Sequence, residues 1–346
     1  MKSPIRGRLV PRLRTSAFSS GNLTSSLKLA NPRPPARQGT LSPIPATEGS
    51  LPMANMPIAE VHIDEALVTQ LLRDQHPDLA HLPVDTLSNG WDNVVFRLGH
   101  DYVVRLPRRE IAVQLIRNEQ LFLPLIAELT SLRLPTPLRM GVPSSLFPWP
   151  WTIAPWFDGE ATILSAPSEH THLIGPLAEF LTALHRPAVI NAPRNPVRGI
   201  SLQRRDKAFR DRLGSAKFDR SAEISNLWEI SLAIPEWDLE PYWLHGDLHP
   251  GNILIHEAKL SAVIDFGDLC SGDPAADFAV AWMVFDGADR HEFQRLVTTS
   301  TGADAALWAR ARGWALNFGT LLLTNSDDNP PFKALGSHTI AAALDS

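Results

Sequence analysis

The stretch His245-Gly246-Asp247-Leu248-His249-Pro250-Gly251-Asn252 leads into the apolar run Ile253-Leu254-Ile255. A polar turn follows, then a second apolar run, Leu260-Ser261-Ala262-Val263-Ile264, and then Asp265-Phe266-Gly267. Two short apolar runs joined by a polar turn read as a β-hairpin. Such a hairpin starts at Asn252 and ends at Asp265, so it returns both side chains to one open end, within reach of a single ion. A lone Asp-Phe-Gly is ordinary turn material. The ordered set of Asp247, Asn252, a hairpin and Asp265 is far more specific, because each member constrains where the others stand.

Those residue types suit one chemistry. Phosphoryl transfer needs a positioned nucleophile and neutralised phosphate charge, and little covalent help from the protein. Asp247 can orient an attacking hydroxyl and accept its proton. Asn252 and Asp265 are hard oxygen donors of the kind Mg²⁺ takes beside phosphates. An Asp, an Asn five positions on and a second Asp before Phe-Gly is the order found in protein kinases. Here Gly246 stands between His and Asp, where protein kinases carry Arg. With the Asp-Leu-His-Pro-Gly-Asn run, Gly272-Asp273-Pro274 and Asp277, the chain resembles the aminoglycoside phosphotransferase and choline kinase-like family from about residue 57 to its end. That resemblance implies an α+β, two-lobed protein-kinase-like fold, with a small antiparallel-sheet lobe and a larger, mainly helical lobe. It also implies ATP or GTP as co-substrate and Mg²⁺ as cofactor.

Composition sets bounds. At 346 residues, with 44% hydrophobic and 20% charged residues, the chain can build real cores in two lobes. No apolar run approaches the length of a membrane span. Cys270 is the only cysteine, which excludes an intrachain disulfide and fits a reducing, cytoplasmic setting. The net charge of −5 divides into +7 over residues 1–56 and −12 over the rest. An acidic body argues against nucleic acid as a partner and leans toward a cationic small molecule. Residues 1–56, rich in Pro, Ser and Arg, lack an apolar period and read as a disordered or non-native extension, with Met53 or Met56 as a candidate start.

Along the remainder, Asp64-Glu65 open a helix at the end where acids favour the dipole. Residues 93–98 and 102–106 form a strand pair around Gly99-His100-Asp101. The turn Ser88–Asn93 corresponds by position to the phosphate-covering loop, with Gly90 and Asn93 as its contacts. It has one glycine where protein kinases use three. Arg105 stands where the kinase strand lysine would be, and its fork can bind phosphate oxygens bidentately. Arg97 is the competing candidate. Glu110–Ala127 reads as a helix in which Pro124 marks a kink or the end. Glu119 is the natural partner of Arg105, with Glu128 as the alternative. Trp151–Ala154 reads as a strand leading to the hinge between lobes. There the carbonyl of Pro155 and the N–H of Phe157 would read the adenine edge.

Pro187–Arg198 reads as a loop, residues 203–233 as helical, and Ala306–Thr324 as an amphipathic helix near the substrate cleft. His245 and His249 read as loop-shaping hydrogen bonders, and Asp273 and Asp277 as braces for the loop after the metal site. The expected organisation is therefore a nucleotide-binding lobe over 57–154 and a catalytic, substrate-binding lobe over 155–346. The expected reaction is transfer of a γ-phosphate to the hydroxyl of a small molecule. Antibiotic acceptors (aminoglycoside or macrolide), a metabolic sugar or amino alcohol, and a nucleotide-binding pseudokinase without turnover remain open. A protein kinase is disfavoured, because no Ala-Pro-Glu element follows Asp265.

Overall fold

A computed structural model describes residues 58–346. The expectation of a disordered extension over 1–56 lies outside the described residues. Helix α1 (Glu65–Gln75) opens on Asp64, whose carboxylate accepts the Leu67 amide at 2.8 Å. Strands β1 (Val84–Asn89), β2 (Asn93–Leu98) and β3 (Tyr102–Pro107) follow, then helix α2 (Glu110–Ala127), β4 (Arg139–Gly141) and β5 (Trp151–Pro155). The five strands form one antiparallel sheet in the order β1-β2-β3-β5-β4. Val68, Leu71 and Leu72 of α1 pack with Val94, Phe96, Val104 and Ile153 of the sheet as a core of their own.

Helix α2 runs the full predicted span, and Pro124 lies inside it without ending it. Its later apolar positions, Phe122, Leu123 and Ile126, belong to the large helical core rather than to the sheet. That helix therefore ties the two halves together. Past the hinge come β6 (Glu160–Ala161), α3 (Ile174–Leu184), α4 (Asp206–Ser215) and α5 (Ser221–Leu232). Next are β7 (Tyr242–Leu244), β8 (Ile253–His256), β9 (Lys259–Val263) and β10 (Cys270–Gly272). The remaining helices are α6 (Ala275–Phe278), α7 (Ala281–Val284), α8 (Gly287–Thr301), α9 (Ala305–Asn325) and α10 (Pro330–Leu344).

The hairpin expected after Asn252 is present: β8 pairs antiparallel with β9, with Ile253 opposite Val263. It is an α+β, two-lobed arrangement, as expected. Phe157, just past β5, packs on this hairpin through Leu254 and Ala262. Among the described residues no helix is long and apolar enough to cross a membrane.

Candidate active site

The loop of residues 245–252 is shaped from behind by one buried carboxylate. Asp277, at 1% exposure, accepts the backbone N–H of His245 at 2.7 Å and of Gly246 at 2.9 Å. His185 Nε2 lies 3.1 Å from the same group. Gly246 adopts φ +86°, and a Cβ there would stand 2.2 Å from the Asp268 carbonyl oxygen. Only glycine tolerates both the left-handed backbone and that approach, which explains Gly between His245 and Asp247. His245 is fully buried; its Nδ1 accepts the Asp247 amide at 3.2 Å and its Nε2 faces the Ile264 carbonyl at 3.0 Å. His249 accepts the Gly251 amide at 3.0 Å. Both histidines thus hold the loop, in line with the sequence reading.

Asn252 donates its side-chain N–H to the Asp247 carbonyl at 3.0 Å. This directs Oδ1, the atom a cation would take, to the other side. Asp265 sits at φ +61° with its side chain 57% exposed. Asp247, Asn252 and Asp265 all line one cavity of about 830 Å³, together with Gly90, Asn93, Arg105, Pro155 and Phe157. Among the described residues no group of three or more His, Cys, Asp or Glu side chains is arranged to hold a metal by itself. One carboxylate and one amide oxygen at the cavity wall fit a cation that takes its other ligands from phosphate and water, the habit of Mg²⁺.

Arg105 is buried between two acids: Nη1 meets Glu119 at 2.5 Å and Nη2 meets Asp265 at 2.9 Å. Burial lowers its pKa, but the charges of Glu119 and Asp265 raise it further, so the guanidinium stays charged. Glu119, 1% exposed, is pushed upward by burial and by the nearby Asp265 charge, against the pull of Arg105. The rival pairings do not form. Arg97 turns to the Gly99 and His100 carbonyls and stacks over Trp156 at 3.6 Å, while Glu128 is exposed. The loop over the cavity closes with the Gly90 amide donating to the Asn93 carbonyl at 2.9 Å. Asn93 is buried and its Oδ1 has no partner among the described residues. At the hinge the Trp156 amide donates to the Asp101 carbonyl at 2.7 Å, and the next amide, of Phe157, makes no hydrogen bond among the described residues.

Arg198, read from sequence only as the end of a loop, stands on Asp247: Nη2 to Oδ1 is 2.8 Å. Burial pushes the Asp247 carboxyl up, but Arg198, then His249 and His245, pull it well below the usual carboxylate range. The segment around Arg198 is docked on β10. The Ser271 amide donates to the Pro193 carbonyl at 2.8 Å, and the Asp273 amide to that of Gly199 at 2.9 Å. Asn195 donates to Asp268 at 2.7 Å. A Cβ on Gly272 would meet the Gly199 carbonyl oxygen at 2.0 Å, so the glycine of Gly272-Asp273-Pro274 admits this segment. That glycine was the available signal, but nothing local to it names Arg198. Asp273 itself is 4% exposed and ion-paired to Arg310 at 2.7 Å, away from the cavity; burial raises its pKa against that pull. Cys270 is buried, which pushes its thiol well above the usual range and leaves it unreactive.

Solved structures with the same fold include the GDP complex of a mutant aminoglycoside 2′-phosphotransferase IIIa, at 18% identity and a TM-score of 0.61, covering 81% of this chain and 97% of that one. The GDP and kanamycin complex of APH(2″)-IIIa matches at 20% identity and 0.60, covering 80% and 97%. A macrolide 2′-phosphotransferase from Brachybacterium faecium, as apoenzyme, matches at 21% identity and 0.53, covering 82% and 98%. No curated protein matches the chain by sequence. The model of the phosphotransferase enzyme family matches residues 84–314. With two thirds of its length in that match and the kinase-like fold around it, the chain belongs to the phosphotransferase enzyme family.

Proposed function

We propose that this phosphotransferase moves the γ-phosphate of ATP or GTP to a hydroxyl of a small molecule, at the cavity between sheet and helices. The observation that supports this most is that Asp247, Asn252, Asp265 and Arg105 line that one cavity. Asp247 takes the role of orienting the acceptor hydroxyl and receiving its proton. Arg105, fixed by Glu119, holds phosphate oxygens. Gly90 and Asn93 cover the phosphates, and Pro155 and Phe157 offer the carbonyl and N–H that read the base. Asn252 and Asp265 would hold Mg²⁺, which when bound neutralises phosphate charge. Low basicity of Asp247 while Arg198 is attached suits a role in orientation more than strong proton abstraction.

The test is ADP release with ATP–Mg²⁺ over a panel of hydroxylated compounds, with Asp247→Asn as control. Kanamycin and a macrolide belong on it, because the structural relatives carry kanamycin or act on macrolides. Turnover on any member should fall by about 10³-fold or more in Asp247→Asn, the scale of losing a central catalytic group. Tight binding of a non-hydrolysable ATP analogue with no turnover on any member would favour a pseudokinase instead.

A further inference from the structure

Four carboxylates line the cavity, those of Asp92, Asp247, Asp265 and Asp268. Three arginines face them, Arg198 serving two. Asp92 pairs with Arg109 at 2.9 Å, Asp265 with Arg105 at 2.9 Å and Asp247 with Arg198 at 2.8 Å; Asp268 lies 3.9 Å from Arg198. No glutamate lines the cavity. A polycation would need carboxylates with nothing to displace, and among the described residues this wall offers none.

The positive side is different. The Arg198 side chain makes one hydrogen bond among the described residues, from Nη2; its buried Nε makes none and faces Asp268 Oδ2 at 3.9 Å. A guanidinium offers five N–H donors, so most of its capacity is unspent. Behind it stand two more arginines from the same part of the chain. Arg205 makes no hydrogen bond or ion pair among the described residues, and its Nε is buried. Arg212 donates only to neutral partners, the Asn317 oxygens and Thr320 Oγ1, and its Nε too is buried and unpartnered. Burial and the mutual repulsion of this group lower Arg212 to about 10. Arg205 is lowered by burial and then by Arg198. Asp247 and Asp268 hold the charge on Arg198, and Arg205 and Arg212, without a carboxylate partner among the described residues, add positive potential behind its remaining N–H donors, an arrangement that an anion can use. Phe318, Leu321 and Leu322 from α9 and Phe332 from α10 give the cavity an apolar wall, with Asn325 and Ser326 at its polar edge.

We infer that the phosphate acceptor is an anionic hydroxyl compound with an apolar body, whose carboxylate or phosphate group is bound by Arg198 beside Asp247. This rests on the phosphotransferase reading and names the acceptor class for the same site. It reverses the lean toward a cationic substrate that net charge suggested, because net charge reports the whole surface and not this wall. Binding the acceptor's anion draws Arg198 away from Asp247 Oδ1 and frees that oxygen for the hydroxyl. Arg198 is a positioning residue; Arg205 and Arg212 supply potential from behind.

The test uses three probes with one chain and different ends: ω-hydroxydecanoate, decane-α,ω-diol and ω-aminodecanol. Calorimetry measures their binding to the full-length protein loaded with Mg²⁺ and a non-hydrolysable ATP analogue. The hydroxycarboxylate should bind at least about tenfold more tightly than the diol, the scale of one charge-assisted contact. The aminoalcohol should bind most weakly. Arg198→Gln should erase the preference and Arg198→Lys should keep part of it. The wild-type series needs no variant to fold, so it decides alone. If the carboxylate binds no better than the diol, or the aminoalcohol is preferred, the inference is wrong. Loading with the nucleotide analogue is read first and separately. Failure there overturns the kinase reading, while loading followed by a reversed preference overturns only the acceptor class.

Discussion

Replacing Asp277 by Asn should disable the catalytic loop without touching any residue of the cavity. The carboxylate accepts two backbone N–H groups, at 2.7 and 2.9 Å, on different oxygens, and His185 lies 3.1 Å from one of them. An amide has one accepting oxygen, so one of the two backbone donors would face an NH₂ group in a fully buried site. Hydrogen bonds to a charged group contribute about 1.5–3 kcal/mol each, and a stranded buried donor costs about as much. Losing one such bond and opposing two donors gives a destabilisation of about 3–5 kcal/mol. For a domain of this size that lowers Tm by roughly 6–15 °C. Because Gly246 adjoins Asp247, the loop also relaxes, and a shift on the scale of 1 Å costs about 10²-fold in turnover. Differential scanning calorimetry gives the first quantity and ADP release the second. A variant that melts within about 2 °C of the parent and turns over at the parental rate would refute the bracing role argued from these bonds.

Other substitutions read other parts of the site. Gly246→Ala meets both the positive φ and the Asp268 carbonyl, and should cost about 2 kcal/mol or more with near-complete loss of turnover, seen by denaturant melts and assay. Arg105→Ala leaves Glu119 buried without its cation, so about 3–5 kcal/mol should be lost, and nucleotide binding measured by calorimetry should weaken sharply; Arg105→Lys should be milder on both. Burial holds His76, beside Asp78 and Arg139, and His338, beside Asp286, Arg290 and His170, below their ordinary value of 6.5. The unfolded chain then binds more protons in that range, so their contribution is full above about pH 6.5 and is lost as pH falls below it. Thermal melts from pH 7.5 down to about 5.5 should show a steeper fall in Tm for the parent than for a His76→Gln/His338→Gln double variant.

What the sequence disclosed was whatever had a local cause. The β8–β9 hairpin was legible because two apolar runs flank a turn, and α2 because its apolar period persists through Pro124. Arg105 and Glu119 were paired by position on a strand and a helix, and the two side chains do meet. Strand β1 was not foreseen: Val-Asp-Thr-Leu-Ser-Asn sits at a sheet edge, half exposed, and lacks a strong alternation. Helix α10 was missed because Pro330-Pro331 looks like a break. Yet proline is at home in a first turn, and Asn329 caps that end by accepting from Phe332. Arg198 could not have been found this way. Its position depends on backbone contacts with residues more than seventy positions later, and no spacing rule reaches across them.

The Asp273–Arg310 pair carries a consequence for how the enzyme matures. Every side chain proposed for chemistry has been synthesised once residue 265 is made, yet the loop's shape depends on Asp277, and the turn before it is clamped by a guanidinium on α9. A polypeptide ending between residues 265 and 277 would possess all the reactive groups without Asp277 to hold them in register, and one ending before 310 would lack the clamp on the turn. Competence should therefore emerge abruptly, as a late event of synthesis, when the last quarter of the chain closes over what came earlier.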